Sequence, residues 1–322
     1  MRVRILALLL AGYACSAGAA QYPLVDAEAL MFGDVETITA HNEDTLPDLA
    51  RRFGLGYEEI LRANPGVDTW LPGEGTTIVV PGQRLLPPGP REGIVVNLPE
   101  HRLYYYPKPG KGETPQVITF PVSIGKMDWN TPLGKTRVVN KRKNPTWTPP
   151  ESVRREHAAR GDHLPSVVRA GPDNPLGAYA MRLDITPGAY LIHGTNNPIA
   201  VGMAITHGCI RMYPEDIESL YPQVPPGTPV RIVSEPFAVG LLRGMPYVQV
   251  FARPERDAGN SSYTPLIQAL IRAAPGAALD WDRVLRAAKE QRALATPVGR
   301  SAPTLEQIIA GAPLAASTPQ ER

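Results

Sequence analysis

The chain has 322 residues, of which 43% are hydrophobic, enough for two or three compact units with at least one sizeable core. Its 36 prolines and 29 glycines exclude an architecture of mostly long helices. Its net charge of +2 gives neither the basic excess typical of nucleic-acid-binding proteins nor a polybasic face for a membrane surface.

Residues 1–20 are predicted to be a cleaved export signal. Two arginines precede an apolar run at 5–11, and four small residues follow it at 17–20. The run is too short to cross a bilayer, so we expect no transmembrane segment in the mature protein. A lipid anchor on Cys15 is an alternative, but the usual large aliphatic residue is missing ahead of it. Removal of the signal takes away two cations and no anion, which leaves 31 of each.

Cysteine usage singles out one residue. The chain contains only Cys15 and Cys209, so the exported protein would keep a single cysteine and could form no internal disulfide. An unpaired thiol is a liability in an oxidising compartment, which favours a chemical role for Cys209. Burial as a small apolar side chain is the alternative.

A small unit is predicted over residues 37–82. A strand at 37–39 precedes a helix that Thr45 can cap, and a second helix covers 57–62. A closing strand at 77–80 completes a strand-helix-helix-strand order.

The proline-rich segment 83–91 is predicted to be a stiff linker that keeps this unit separate from the rest of the chain. Beyond it, short β-branched and aromatic runs with Gly and Pro between them fill residues 92–234. This pattern predicts a mostly β (α+β), β-sandwich-like domain. Its one strong helix is predicted at 214–221, with Pro214 in the first turn.

Two further segments differ in composition. Residues 141–177 are long, polar and proline-rich, which is typical of a disordered insert or a functional lid. Trp147 is costly to leave in water, so we favour a lid and regard Trp147 as a substrate-binding candidate. Residues 235–295 are predicted to form an extension with amphipathic helices, and residues 296–322 to form a disordered tail.

A histidine and a cysteine are predicted at the ends of neighbouring strands. His193 ends an apolar strand, and Cys209 follows Gly208 in a second extended run. An imidazole within reach can take the proton of a thiol and later return it to a leaving amine. We therefore expect the Cys209 thiolate to be populated at lower pH than that of a free thiol. Gly208 lets nearby backbone amides point at a developing oxyanion.

These residues resemble the L,D-transpeptidase family, whose catalytic unit is the YkuD domain. The motif Thr206-His207-Gly208-Cys209-Ile210 comes after His193, with the cysteine sixteen positions downstream. Arg211 is similar to the branch found in Gram-negative bacteria. Further family-like segments lie at 131–134, 144–150 and 171–177. The unit at 37–82 resembles a LysM module, a usual companion of this domain.

The resemblance implies an enzyme of the periplasm that acts on peptidoglycan and needs no cofactor. Cys209 would attack the diaminopimelate–D-alanine bond of a tetrapeptide stem, release D-alanine and keep the acyl group as a thioester. An amine would then take it, giving a 3→3 cross-link or anchoring an outer-membrane lipoprotein. The LysM-like unit would bind glycan strands containing N-acetylglucosamine.

The resemblance also suggests roles for residues around the pair. His193 would be held by a backbone carbonyl, with Gly194 as the candidate, and His207 would orient the loop. Arg211 and Arg182 could pair with substrate carboxylates, because a guanidinium binds a carboxylate in a bidentate manner. Either arginine could instead bridge surface acids.

Other interpretations stay open at this point. His193, His207 and Cys209 could be metal ligands, although no CxxC pair or His-rich tract supports a metal site. In papain-like wall endopeptidases the cysteine precedes the histidine, the reverse of the order here. Hydrolysis of the same thioester, or a catalytically silent wall-binding scaffold, are the remaining alternatives.

Overall fold

A computed structural model describes residues 20–24, 30–126, 129–252 and 262–315. The predicted export signal up to residue 19, Cys15 within it, and the end of the tail after residue 315 lie outside the described residues. No helix in the described ranges has the length and apolar character needed to cross a membrane.

The mostly β fold predicted from the sequence is confirmed. The strands are β1 (Ala20–Pro23), β2 (Met31–Phe32), β3 (Val35–Thr39), β4 (Thr77–Pro81), β5 (Arg84–Leu85), β6 (Gly93–Asn97), β7 (Arg102–Tyr106), β8 (Gln116–Pro121), β9 (Ile124–Gly125), β10 (Gly134–Lys143), β11 (Tyr179–Leu183), β12 (Leu191–His193), β13 (Ala204–Thr206), β14 (Ile210–Arg211), β15 (Pro229–Val233), β16 (Phe237–Leu242), β17 (Met245–Val250) and β18 (Thr296–Pro297). The helices are α1 (Leu46–Arg52), α2 (Tyr57–Ala63), α3 (Glu151–Ala158), α4 (Pro214–Gln223), α5 (Thr264–Ala273), α6 (Trp281–Glu290) and α7 (Leu305–Ala310), with a 3-10 turn at Pro198–Ala200.

The described residues form one large nine-stranded sheet in the order β1-β8-β7-β6-β15-β10-β11-β12-β14. Its central strands are apolar on both faces, because side chains alternate between two buried clusters. Ile94 and Val96 of β6 join the main core with Ile217 of α4. Val95 and Tyr104 face a second cluster on the opposite side of the sheet. The sheet thus offers a rigid frame whose far edge is β12 and β14.

The N-terminal unit, residues 37–82, has the predicted strand-helix-helix-strand order. Thr45 caps α1 by accepting a 3.2 Å hydrogen bond from the Asp48 amide. Asn64 closes the unit, since its side chain donates to Ile60 and Val79 carbonyls and accepts from the Val79 amide, all at 2.7–2.9 Å. β3 and β4 pair antiparallel along their whole length, and the helices pack on them.

The prediction of a separating linker at 83–91 is wrong. Leu85 and Leu86 are buried, and Arg84 is only 3% exposed because it pairs with Glu59 of α2. Glu59 also accepts a 2.7 Å hydrogen bond from Arg102 of β7, which belongs to the large sheet. Burial opposes ionisation of Glu59, yet the charges of Arg102 and Arg84 hold its pKa below the ordinary value. The N-terminal unit and the sheet are therefore joined by a buried ionic network.

The predicted disordered tail is wrong for residues 296–315. The extension at 235–295 forms a β16-β17-β18 sheet covered by α5 and α6, and β18 already belongs to the tail. α7 begins with a capping box of Thr304 and Gln307 and packs on the N-terminal unit. Beyond it, the Thr37 amide donates to Pro313 at 3.0 Å, so the chain lies along the edge of β3.

The insert at 141–177 is ordered in the described structure. Its first residues continue β10, and α3 follows. Trp147 and Val168 exchange two backbone hydrogen bonds of 2.8 and 2.9 Å. Asn174 is fully buried, and its amide donates to the carbonyls of Pro145, Val168 and Arg169 at 2.9–3.4 Å. One side chain thus closes the base of the insert. The sequence allowed a disordered segment or a lid here and favoured the lid, and these contacts argue against the disordered segment.

Candidate active site

The predicted histidine and cysteine lie on, or directly next to, the two strands at the far edge of the large sheet. β12 and β14 pair in parallel, which places His193 directly beside Arg211. Cys209 stands two residues before Arg211, at the start of β14, and β13 just ahead of it pairs with β9. Sheet hydrogen bonds therefore fix His193 directly and hold the chain on both sides of Cys209.

His193 is buried and held by a backbone carbonyl. Its Nδ1 lies 2.6 Å from the Gly194 oxygen, the contact expected from the sequence. A carbonyl can only accept, so Nδ1 carries the proton and Nε2 is left as the basic nitrogen. Burial lowers the pKa of His193 to about 3, and the charge of Arg211 adds to this, while the carbonyls of Gly194 and Leu176 oppose it. The imidazole is consequently neutral at pH 7.

Cys209 is a free thiol of intermediate exposure. Its Sγ donates to the Ala189 carbonyl at 3.6 Å. Burial raises the pKa of this thiol, and the backbone of Leu191 and the charge of Arg211 offset only part of the effect. The expectation of a thiolate populated at lower pH than that of a free thiol is therefore not met. Burial raises the thiol pKa more than its neighbours lower it, so the thiol and the imidazole are both neutral at rest.

The backbone around Cys209 is shaped by a glycine. Gly208 has φ +95°, and a Cβ there would lie 2.8 Å from the Tyr190 ring. Its carbonyl accepts a 3.1 Å hydrogen bond from Thr131, which is 3% exposed and also accepts from the Gly125 amide at 3.0 Å. Within the described ranges, the Cys209 N–H donates to no acceptor. This amide is therefore free to donate a hydrogen bond to a ligand.

His207 does not face the thiol as a second base. Its Nε2 lies 2.9 Å from Glu156 of α3, and its ring packs 5.2 Å from that of Trp129. Lys126 donates to the same carboxylate at 3.2 Å. Hydrogen bonds from His207 and Lys126 lower the pKa of Glu156 to about 2. Glu156 thereby fastens the insert to the residues preceding Cys209.

The three predicted substrate-binding residues differ in their surroundings. Arg211 is partly buried beside His193, and its Nε has no hydrogen-bond partner among the described residues. Arg182 is exposed on β11, opposite Leu191. Trp147 is half-buried, and no described hydrogen bond or ring contact joins its side chain to His193 or Cys209. The insert is fastened over the site by Glu156 rather than by Trp147.

The N-terminal unit packs against the cysteine loop, defined here as residues 198–211. The Tyr57 amide donates to the Val201 carbonyl at 2.9 Å. The backbones approach so closely that a Cβ on Gly202 would lie 2.3 Å from the Tyr57 nitrogen. Gly202 has φ +93°, a conformation that glycine adopts without strain.

A second contact lies just beyond this loop. Arg51 of α1 makes two 2.9 Å hydrogen bonds to the Glu215 carboxylate at the start of α4. Tyr213 donates to the Leu55 carbonyl at 3.1 Å. The chain on both sides of Cys209 is thus held by the N-terminal unit, a relation that no sequence pattern indicated.

No group of three or more His, Cys, Asp or Glu residues in the described part of the chain could hold a metal ion. His207 points to Glu156, and His193 is bonded through Nδ1 to a carbonyl.

Comparisons with known proteins agree with the resemblance. The family model of YkuD, the L,D-transpeptidase catalytic domain, matches residues 91–232. The chain is 44% identical over 229 residues to the probable L,D-transpeptidase YcfS of Escherichia coli, covering 70% of each protein. It is 41% identical over 233 residues to the probable L,D-transpeptidase YbiS of the same species, covering 71% of this chain and 74% of that protein.

Among solved structures, an L,D-transpeptidase mutant from Enterococcus faecium is 23% identical with a TM-score of 0.32, over 45% of this chain and 50% of that one. L,D-transpeptidase 3 from Mycobacterium tuberculosis is 21% identical with a TM-score of 0.32, over 50% of this chain and 75% of that one. On the sequence relatives and the family model, this chain belongs to the L,D-transpeptidase family.

Proposed function

We propose that the protein is a periplasmic L,D-transpeptidase of peptidoglycan, with Cys209 as nucleophile and His193 as general base. The observation that carries this proposal is that β12, which ends in His193, pairs in parallel with β14, which Cys209 directly precedes. His193 presents Nε2 as a base because Nδ1 is bonded to Gly194. Cys209, the single cysteine of the described chain, forms no disulfide and is partly accessible.

The neutral pair supports an attack in which proton and electron pair move together. Cys209 Sγ bonds to the acyl carbon of the stem peptide while its proton passes to His193 Nε2. The carbonyl oxygen becomes an oxyanion, which the free Cys209 N–H can stabilise. When the C–N bond breaks, His193 returns the proton to the amine of D-alanine, and a thioester remains.

The second half of the reaction repeats this chemistry with an amine acceptor. The amine attacks the thioester carbon, His193 takes the amine proton, and the sulfur leaves and is reprotonated. A thioester conserves the energy of the original peptide bond, so no cofactor is required. A stem diaminopimelate or the terminal lysine of an outer-membrane lipoprotein would serve as the acceptor.

The test uses a soluble tetrapeptide stem and the intact protein. We expect release of one D-alanine per acyl-enzyme, and a mass increase on Cys209 equal to the stem without D-alanine. Cys209→Ala should fold but give neither product, and His193→Gln should reduce acylation at least 100-fold. D-alanine release by folded Cys209→Ala would exclude this mechanism.

We also propose that the N-terminal unit is a LysM-like module that binds glycan strands. Support comes from two adjacent apolar side chains that are exposed on its surface: Trp70 is 51% exposed and Leu71 is 74% exposed. Asp68 presents both by accepting 2.8 Å hydrogen bonds from their amides. An exposed aromatic ring is suited to stacking on a sugar.

Trp70→Ala should weaken binding to purified sacculi and leave turnover of a soluble stem unchanged. Sacculus binding equal to that of the unchanged protein would contradict the proposal.

A further inference from the structure

A groove of about 640 Å³ lies on the face of the sheet that carries His193. Arg142, Ala180 and His193 are paired in register across β10, β11 and β12, and Arg211 continues the row on β14. Residues that pair directly project to the same face of a sheet. Small Ala180 leaves space between its neighbours, and the groove occupies that space.

A parallel row of residues borders the same groove. Asn140, Arg182 and Leu191 pair with one another two positions along the same strands. Side chains repeat on one face every second residue, so this row and the first share the His193 face. Arg182 is therefore a diagonal neighbour of both Arg142 and His193.

The groove leads to the reactive sulfur. Ala189 lines it, and the Ala189 carbonyl is the group that accepts the hydrogen bond from Cys209 Sγ at 3.6 Å. Apolar side chains flank the passage, among them Leu176 and Leu191. A bound peptide can thus run from the sulfur along the sheet toward Arg142.

Two cations in this groove have no anion beside them. Neither Arg142 nor Arg182 forms an ion pair with any described residue, and both are exposed. Asp184 is the carboxylate among the lining residues, but it is paired with Arg137 at 3.0 Å. The groove therefore carries a net positive charge.

The distance of the two arginines from His193 indicates which carboxylate of the donor peptide they can bind. Arg142 lies two strands from His193, about 10 Å at the spacing of neighbouring strands. The carboxylate of the departing D-alanine is one residue from the reacting carbonyl, about 3–4 Å along an extended chain. A carboxylate on the acyl side, about two residues from the scissile bond, fits the distance better.

We propose that Arg142 and Arg182 bind a free carboxylate on the acyl side of the donor stem peptide and select for it against a carboxamide. This inference rests on the proposed function. A guanidinium pairs with a carboxylate through charge-assisted, bidentate hydrogen bonds, which a neutral amide cannot reproduce.

The experiment compares two tetrapeptide donors that differ at the second residue, one with a free carboxylate and one with a carboxamide. Turnover is measured for the intact protein and for Arg142→Gln, Arg182→Gln and the double variant. Lys143→Gln is the matched control, because Lys143 follows Arg142 and its Nζ lies over the Tyr179 ring at 5.5 Å. Thermal unfolding verifies that each variant is folded.

We expect the double variant to lose about 10–100-fold in kcat/KM for the free carboxylate, chiefly through KM, and little for the carboxamide donor. Lys143→Gln should not change the preference. Equal losses for both donors, or no loss for either, would overturn the proposal while the transferase function stands.

Binding of both peptides to Cys209→Ala, measured by calorimetry, separates the two claims. Carboxylate-dependent binding that the arginine variants weaken would support the groove even if the intact protein released no D-alanine. In that case the proposed function, and not the groove, would fail. Equal affinities for the carboxylate and carboxamide peptides, unchanged by the arginine substitutions, would overturn the assignment of the groove.

Discussion

The N-terminal unit and the insert both touch the chain around Cys209, but they do so with different chemistry. The N-terminal unit packs its backbone closely on Gly202 and Val201 and adds a partly exposed ion pair from Arg51 to Glu215. Its buried Glu59 network joins it to the large sheet instead. The insert uses Glu156, whose partners His207 and Lys126 are about one third exposed. Buried ion pairs and close backbone packing are costly to break, whereas exposed ion pairs are weak. The close backbone packing is therefore suited to hold the cysteine loop in place, and the exposed Glu156 ion pairs are suited to let the insert release.

The largest expected effect is on the buried network. Glu59→Gln leaves Arg84 and Arg102 buried without their counter-charge, so the free energy of unfolding should fall by about 3–5 kcal/mol. Glu58→Gln is the matched control on the same helix, because Glu58 makes a partly exposed pair with Arg62. The control should change stability by less than about 0.5 kcal/mol. Urea unfolding measures the free energy of unfolding of both variants. Equal changes in the two would contradict the claim that a buried ionic network joins the N-terminal unit to the sheet.

A smaller effect is expected where the two backbones meet. Gly202→Ala would place a methyl group 2.3 Å from the Tyr57 nitrogen, so the cysteine loop must move. Gly227→Ala is the control, since its φ of +90° is similar but no atom lies within 4 Å of its Cβ. We expect Gly202→Ala to cost about 1–3 kcal/mol more than the control and to slow acylation of Cys209. If Gly202→Ala is destabilised but Cys209 is still acylated at the normal rate, the packing of the N-terminal unit on the cysteine loop is not needed for catalysis.

The smallest effect on stability is expected at the insert. Glu156→Gln should leave the unfolding midpoint close to that of the unchanged protein, yet speed hydrogen exchange in α3. Exchange in the cysteine loop should stay slow, because its other contacts are intact. Glu151→Gln, in the first turn of the same helix, is the control. Faster exchange in both segments would mean that the insert and the loop open together.

The pH dependence of this contact follows from the Glu156 pKa. A carboxyl group with a lowered pKa stabilises the fold above its unfolded value of about 4.3, and this is lost as the pH falls toward the folded value. The pKa of Glu156 is about 2, so its charge persists through neutral pH. Hydrogen exchange of α3 should therefore show no step from Glu156 itself between pH 5 and 8.

Local signals predicted the elements of the fold well. Thr45 was identified as a helix cap, and Pro214 as the first turn of α4, because capping and proline preferences act within one turn. The tail was misjudged because its Ala- and Pro-rich composition hid a short capping box and the apolar residues Leu305 and Ile308. Proline at 87–90 indicated stiffness but not that Arg84 and Leu85 would be buried.

The site was predictable only as far as its motif extends. The contact of His193 with the Gly194 carbonyl was expected from the family resemblance, and it joins neighbouring residues. Glu156 is 51 positions from His207, so no spacing rule links them. The direction of the Cys209 pKa shift was missed because burial depends on the packed structure, whereas the imidazole that would lower the pKa is visible in the motif.

The central chemical claim is that the Cys209 thiol and the His193 imidazole are both neutral at rest, so that no thiolate is formed before attack. The direct test is the rate of alkylation of Cys209 against pH, in the unchanged protein and in His193→Gln. Burial raises the pKa of this thiol, so the midpoint should lie above the value of about 8.5 for a free thiol in both proteins. A midpoint near 7 or below that returns to about 8.5 in His193→Gln would contradict the account and establish a preformed thiolate–imidazolium pair.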